Sequence, residues 1–210
     1  MARRITTILS DIGNVVALHD EDVALAAIGT MTGRTMREVQ NAIFGDGKDQ
    51  RKPFRAFMRG RFDADEFRLR VSRALDRKRP LPKAWFEKAF CDIFTLNRPV
   101  LDLWRALRKR GLTVTAVSNI EALRAAHLEK MGALKVFDHR VMSYEEGHLK
   151  PSRELMIRAL ELSGAAAEQA VFIDDKPKNM PPASRLGIRT HIYRDFRRLS
   201  AFLADNGIKI

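Results

Sequence analysis

The sequence predicts an α/β fold: a doubly wound parallel sheet with a small helical unit inserted after its first strand. Three observations predict it. Residues 5–9 (ITTIL) are a short apolar and β-branched run that stops at Ser10-Asp11, with Gly13 two positions further on; such a run is too short for a helix and reads as a buried strand. Residues 20–97 then show helical periodicities broken by Gly, Pro and charge clusters, with no convincing parallel strand. From Pro99 onward, short β-branched runs alternate with amphipathic stretches, the rhythm of a parallel sheet with right-handed crossovers. The division that follows is 1–19 plus 98–210 for the α/β core and 20–97 for the helical unit.

Within the helical unit, 22–32 and 35–44 read as two short helices. Asp63 opens another, with Glu66 three positions on as in a capping box and Phe67, Val71 and Leu75 at intervals of four. Residues 82–94 form an amphipathic helix carrying Trp85, Phe86, Phe90 and Phe94. An aromatic stripe at helical spacing reads as core packing rather than a ligand platform. In the second part, 100–110 is a helix with Leu101, Trp104 and Leu107 on one face and Gly111 as its stop. Residues 113–117 make a strand ending in Ser118-Asn119, 122–131 a helix, 136–142 a strand, and 152–162 a helix preceded by Lys150-Pro151. A strand at 170–173 runs into Asp174-Asp175; a helix includes 183–186, a strand covers 190–193 and a helix spans 195–205.

At 210 residues the chain suits one sizeable domain or a core plus a modest insertion. Its 45% hydrophobic and 30% charged content is that of a soluble globular protein. The charge of +12 admits an anionic partner, but the basic residues are spread from Arg3 to Lys209 with no compact tail, which argues against a dedicated nucleic-acid role. The one cysteine, Cys91, excludes an internal disulfide framework and fits a reducing compartment. No run approaches the roughly 18 apolar residues of a membrane span. The basic start MARR leads into a threonine-broken run ending at Asp11, unlike a signal peptide, so the expected location is cytoplasmic.

Open parallel sheets bind ligands outside the carboxyl ends of their strands. Three strands here end in chemistry, at Asp11, Ser118-Asn119 and Asp174-Asp175, and Lys150 sits just before a helix. Carboxylates brought to one edge repel unless a cation neutralises them, and an all-oxygen set suits Mg²⁺. Lys150 and the backbone amides of the turn after Asp11 would hold a phosphate beside the metal. Each residue also has a local explanation: Asp11 could cap its own turn, Ser118 and Asn119 a helix near Glu121. Lys150 could be solvated, and Asp174-Asp175 could be turn residues ahead of Pro177. The order and spacing of all of them together favour one site.

That ordered set, SDIGNVV, then VSN, LKP and FIDDKPKNM, resembles the four motifs of the haloacid dehalogenase-like hydrolase superfamily over about residues 7–193. The helical unit looks like that superfamily's C1 cap on a Rossmann-like core. The SDIGNV start, the phrase MRGRFDADEF and the SN and IDD endings are similar in style to sugar-phosphate phosphatases and epoxide-hydrolase N-terminal-like members. The resemblance implies that Asp11 is a nucleophile attacking phosphorus to form an aspartyl-phosphate. Ser118 and the Asn119 amide would hold phosphoryl oxygens, and Lys150 would neutralise charge on Asp11 and the phosphate. Mg²⁺ would be bound by Asp11, the Gly13 carbonyl, Asp175 and, directly or through water, Asp174, with Asn179 supporting the last motif's loop. The implied activity is Mg²⁺-dependent hydrolysis of a small phosphorylated metabolite, a sugar phosphate being one candidate.

One position departs from the family pattern. Most phosphatases of this superfamily carry a second Asp two positions after the nucleophile, which protonates the leaving group and later activates water. Here that position is Gly13, which cannot transfer a proton, and the expectation is a slow enzyme rather than a dead one. Two further readings follow. One is a metal-free 2-haloacid dehalogenase, with Asp11 attacking carbon; the other is a catalytically lapsed binding or regulatory protein that holds an anionic partner. His19 and His148 could touch substrate or be ordinary loop histidines. Arg55, Arg59 and Arg61 could form a basic face of the helical unit or a solvated surface. Monomer and homodimer are both open, since the 82–94 helix could serve an interface as well as a core.

Overall fold

The computed structural model describes residues 4–45 and 53–209; the first three residues of the basic start and residues 46–52 of the helical unit lie outside them. The chain opens with β1 (Thr7–Ser10) and a short strand β2 (Ala17–His19). Then come α1 (Glu21–Thr32), α2 (Met36–Phe44), α3 (Pro53–Met58), α4 (Ala64–Ala74) and α5 (Lys83–Cys91). Strand β3 (Phe94–Leu96) returns antiparallel to β2. The remainder runs α6 (Arg98–Lys109), β4 (Thr113–Ser118), α7 (Ala122–Lys130), β5 (His139–Met142), a one-turn α8 (Ser143–Glu146) and α9 (Arg153–Ser163). It closes with β6 (Ala170–Asp174), α10 (Met180–Arg185), β7 (Arg189–Ile192) and α11 (Phe196–Asp205).

The main sheet is parallel, in the order β5-β4-β1-β6-β7. The chain winds outward from β1 through β4 to β5, then returns to β1's other side for β6 and β7. The reversal leaves a crevice at the carboxyl end of β1, between β4 and β6. Successive strand side chains point to opposite faces. Ile8, Val114 and Ile173 pack with Trp104, Leu107 and Leu203 on one side, while Leu9, Val117 and Phe172 pack with Leu155, Met156 and Ala159 on the other. Burial on both faces is why these strands read as continuous apolar runs.

Helices α1 to α5 share a separate apolar cluster, with Ile28, Val39 and Ile43 against Phe57, Phe67, Phe86 and Phe90. The Phe57 and Phe67 rings stack at 4.4 Å and those of Phe86 and Phe90 at 5.6 Å, so the aromatic stripe of α5 is core. Asp63 caps α4 by accepting from the Glu66 backbone N–H at 2.8 Å. The complete reciprocal box is at Thr35 and Glu38 instead.

Two element boundaries differ most from the sequence expectation. The helix expected over 82–94 stops at Cys91 because Phe94 pairs with His19 in the β2–β3 ladder; three-residue strands are too short for hydrophobic periodicity to register. The strand expected over 136–142 begins only at His139. Ala133–Val136 is a 3₁₀ turn whose buried Val136 faces the core. Asp138 meanwhile accepts from the Val114 N–H at 2.9 Å through its side chain, which occupies the site a ladder bond would use. Among the described residues no helix is long and apolar enough to cross a membrane.

Candidate active site

Asp11 follows β1 directly, and its N–H donates to the Ile173 carbonyl at 2.8 Å, so the sheet fixes its backbone. The chain then turns sharply, with the Val16 and Ala17 N–H groups both returning to the Ile12 carbonyl at 2.8 and 2.9 Å. Asn14 takes the left-handed conformation in this turn (φ 57°), which Asn tolerates better than most residues. The buried Asp11 carboxylate is held at one oxygen: Oδ1 accepts from the Ile12 N–H at 2.7 Å and Ser118 Oγ at 3.0 Å, and Lys150 Nζ lies 2.9 Å away. Among the described residues no hydrogen bond reaches Oδ2, which leaves it for chemistry.

Lys150 is equally constrained. Its Nζ donates to Asp174 Oδ2 at 2.6 Å, while the Asn119 side chain grips its backbone from both sides, accepting its N–H at 2.7 Å and donating to its carbonyl at 3.1 Å. Asn119 therefore spends its side chain on placing the lysine, and only its backbone N–H remains for a ligand. Asp174 is saturated: it accepts from Lys150, from Asn179 Nδ2 at 2.9 Å to both oxygens, and from the Lys176 N–H at 2.8 Å. Asp175 is not. Its Oδ2 accepts from Asn14 Nδ2 at 3.2 Å, but its Oδ1 is buried without a hydrogen-bond partner.

The charges follow from this packing. Burial pushes the Asp11 carboxyl up to about 6, against the pull of Lys150. Burial alone would lower the Lys150 ammonium, but the Asp11 and Asp174 carboxylates outweigh it and hold the group above its ordinary value. Asp174, also penalised by burial, ends below the ordinary carboxylate range because the Lys150 charge and its hydrogen bonds prevail. Asp11, Asp174 and Asp175 each place one carboxylate oxygen within 4.8 Å of the others. Such crowding of hard oxygens, with one of them buried and faced only by Lys176 Nζ at 4.0 Å, fits a cation of the Mg²⁺ type.

Above these groups lies a cleft between the sheet edge and the helical layer, lined by His19, Glu21, Phe54, Arg55, Met58, Phe94, Glu121 and Arg124 besides Asp11, Ser118, Asn119 and Lys150. Buried Arg124 of α7 ties the two layers: it donates to both Glu21 oxygens at 2.8 and 2.7 Å, to the Phe90 carbonyl at 3.1 Å, and lies 3.9 Å over the Phe90 ring. His19 borders the cleft from β2, and burial lowers its pKa. Of the other basic candidates, Arg55 lines the cleft; Arg59, Arg61 and the exposed His148 do not. Asn14 and Arg124 escaped sequence reasoning. Arg124 has no local signal, since a charged residue in an amphipathic helix reads as solvent-facing.

A sequence profile of the haloacid dehalogenase-like hydrolases matches residues 5–187. The chain belongs to this family. Among curated proteins, this haloacid dehalogenase-like hydrolase is 31% identical over 106 residues to bifunctional epoxide hydrolase 2 of Rattus norvegicus, a match covering 48% of the chain and 19% of the rat protein. The chain thus spans about a fifth of the length of the curated relatives it matches. Among solved structures, it is similar to a family enzyme from Bacteroides thetaiotaomicron in complex with magnesium and inorganic phosphate (TM-score 0.77, 20% identity, 93% of this chain and 98% of that one). It is also similar to a family phosphatase from Thermococcus onnurineus (TM-score 0.68, 15% identity, 98% and 99% covered). At these identities the likeness shows the fold: the parallel sheet of a family hydrolase flanked by helices.

Proposed function

We propose that the protein is a Mg²⁺-dependent phosphatase that hydrolyses a small phosphorylated metabolite, a sugar phosphate being one candidate, through an aspartyl-phosphate on Asp11. The observation that carries this reading is the Asp11 carboxylate itself, pinned at Oδ1 by Ile12, Ser118 and Lys150 with Oδ2 unbonded, beside Asp175 Oδ1, which is buried without a hydrogen bond and has Lys176 Nζ 4.0 Å away. A nucleophile so held keeps a fixed line of approach, which is much of what phosphoryl transfer demands. Ser118 Oγ and the Asn119 N–H would receive phosphoryl oxygens, and Lys150 would neutralise charge building on them.

Asp11, Asp175 and the Gly13 carbonyl would hold the metal. Asp174 would serve it from behind by anchoring Lys150, since all its hydrogen bonds are already used. Bound there, Mg²⁺ supplies the charge neutralisation that lets an anionic carboxylate meet an anionic ester. The helical segment 20–97 would act as a cap over the core formed by 1–19 and 98–210, and the cleft's volume of about 230 Å³ suits a small molecule. The three crowded carboxylates speak against a metal-free haloacid dehalogenase.

The test is phosphate release from a panel of phosphorylated metabolites and an aryl phosphate, with and without Mg²⁺, for the wild type and Asp11→Asn. Metal-dependent turnover that falls about ten-thousandfold or more in the variant is expected, on the scale of other lost nucleophiles. No turnover of any compound would leave a lapsed binding protein as the better account, with Gly13 as its cause.

A further inference from the structure

Hydrolysis of an alkyl phosphate needs a proton for the departing oxygen, and glycine at position 13 cannot give one. We infer, on the phosphatase reading above, that the His19 imidazole performs this transfer. The space beside Gly13 is not empty: a Cβ placed there would lie 3.2 Å from His19 Cε1 and 3.5 Å from Nδ1, inside or at the edge of ordinary carbon contact distances of about 3.5–4.0 Å. Gly13 does not have positive φ, so its backbone does not demand glycine. The imidazole edge crowds the position instead, since a Cβ there would press it back by a few tenths of an ångström.

His19 is built for a fixed position. Its backbone pairs with Phe94 across β2 and β3, and its ring packs against the Phe94 ring at 6.0 Å. Its Nδ1 is nevertheless buried without a hydrogen-bond partner, an arrangement native proteins seldom leave unexplained. Three of the other ionisable groups that line the cleft are committed. Lys150 is held between Asp11 and Asp174, Glu21 is doubly bonded to Arg124, and Glu121 caps α7 through Oε2 with its Oε1 3.7 Å from Arg124 Nε.

The proton cycle closes. As Asp11 Oδ2 bonds to phosphorus and the ester P–O bond breaks, imidazolium gives its proton to the leaving oxygen. As water then bonds to phosphorus and the Asp11–phosphorus bond breaks, the neutral imidazole takes a proton from that water. The sum is ester plus water to alcohol plus phosphate, with His19 restored.

The experiment compares kcat/KM of the wild type, His19→Gln and Glu121→Gln on alkyl phosphates and on p-nitrophenyl phosphate, with Mg²⁺ present. The nitrophenolate leaves without a proton. His19→Gln is expected to lose about a hundredfold to ten-thousandfold on alkyl phosphates and less than about tenfold on the aryl ester, whose turnover also shows that the variant is folded. Equal losses on both substrates, no loss on either, or a selective alkyl loss in Glu121→Gln instead would overturn the assignment. So would a wild type that cleaves only the aryl ester. A wild type inactive on everything would sink the phosphatase reading itself, and the role of His19 with it.

Discussion

The carboxyl edge of the sheet and the helical layer above it are both buried, but they are held by opposite means. At the sheet edge, Asp11, Lys150, Asp174 and Asn179 form a polar network held at 2.6–3.0 Å that leaves Asp11 Oδ2 and Asn179 Oδ1 without a hydrogen bond. In the helical layer, Phe57, Phe67, Phe86 and Phe90 fill an interior of rings. A polar network fixes distances and directions; a ring cluster fixes mainly volume. The comparison assigns reactivity to the first region and the walls of the cleft to the second, with the Arg124–Glu21 pair as the polar tie between them.

Replacing Lys150 with Met should break this comparison most severely. Two buried carboxylates would lose their cation, at about 3–5 kcal/mol of stability. Their folded pKa values would rise, so the loss should be largest near pH 8 and shrink as acid protonates them. Urea unfolding across pH, together with turnover, would measure both; a variant as stable as the wild type at pH 8 would mean that the network is not electrostatically tight. In the helical layer, Phe67→Ala opens a cavity in the ring cluster and should also cost about 3–5 kcal/mol, with no dependence on pH. Thermal unfolding at two pH values would separate the two kinds of loss.

Glu121 sharpens the contrast because it is a buried acid with one oxygen lacking a hydrogen bond. Burial pushes its carboxyl up to about 7 from an ordinary 4.5, against the pull of Arg124. Between those values the folded protein keeps a proton that the unfolded chain has released. The contribution of Glu121 to stability should therefore be fully present below pH 4.5 and be lost as pH rises to about 7, by up to about 3 kcal/mol. Glu121→Gln should remove that slope; an unchanged slope in the variant would show that other groups cause it.

The smallest effect concerns Asn14. Asn14→Gly keeps the left-handed turn but removes the hydrogen bond to Asp175. Loss of such a supporting contact should weaken Mg²⁺ affinity about 10–100-fold, read by metal titration of activity or by calorimetry. Unchanged affinity would mean that Asp175 is positioned by the sheet alone.

Much of this was legible in the sequence where local pattern and burial agree. The 170–173 run ending in Asp174-Asp175, and the apolar run before Asp11, announce strands that deliver carboxylates, because a buried parallel strand has to be continuously apolar. The parallel fold follows from their alternation with helices. What was not legible depends on distant contacts. Nothing near Asn119 says that its side chain grips the Lys150 backbone across 31 positions, and nothing near Arg124 says that it reaches Glu21 over 103. His19 looked like a loop histidine because the strand carrying it has three residues and pairs only after the chain has passed through the whole helical layer.

The most direct measurement of the central claim is to trap the covalent intermediate. The Mg²⁺-loaded enzyme would be mixed with a good phosphate ester, quenched in acid within milliseconds and digested, and the peptides weighed. The account predicts a phosphoryl group on the peptide containing Asp11, dependent on Mg²⁺ and absent from Asp11→Asn. Rapid turnover with no phosphoryl group on that peptide, or with one on a different residue, would contradict it.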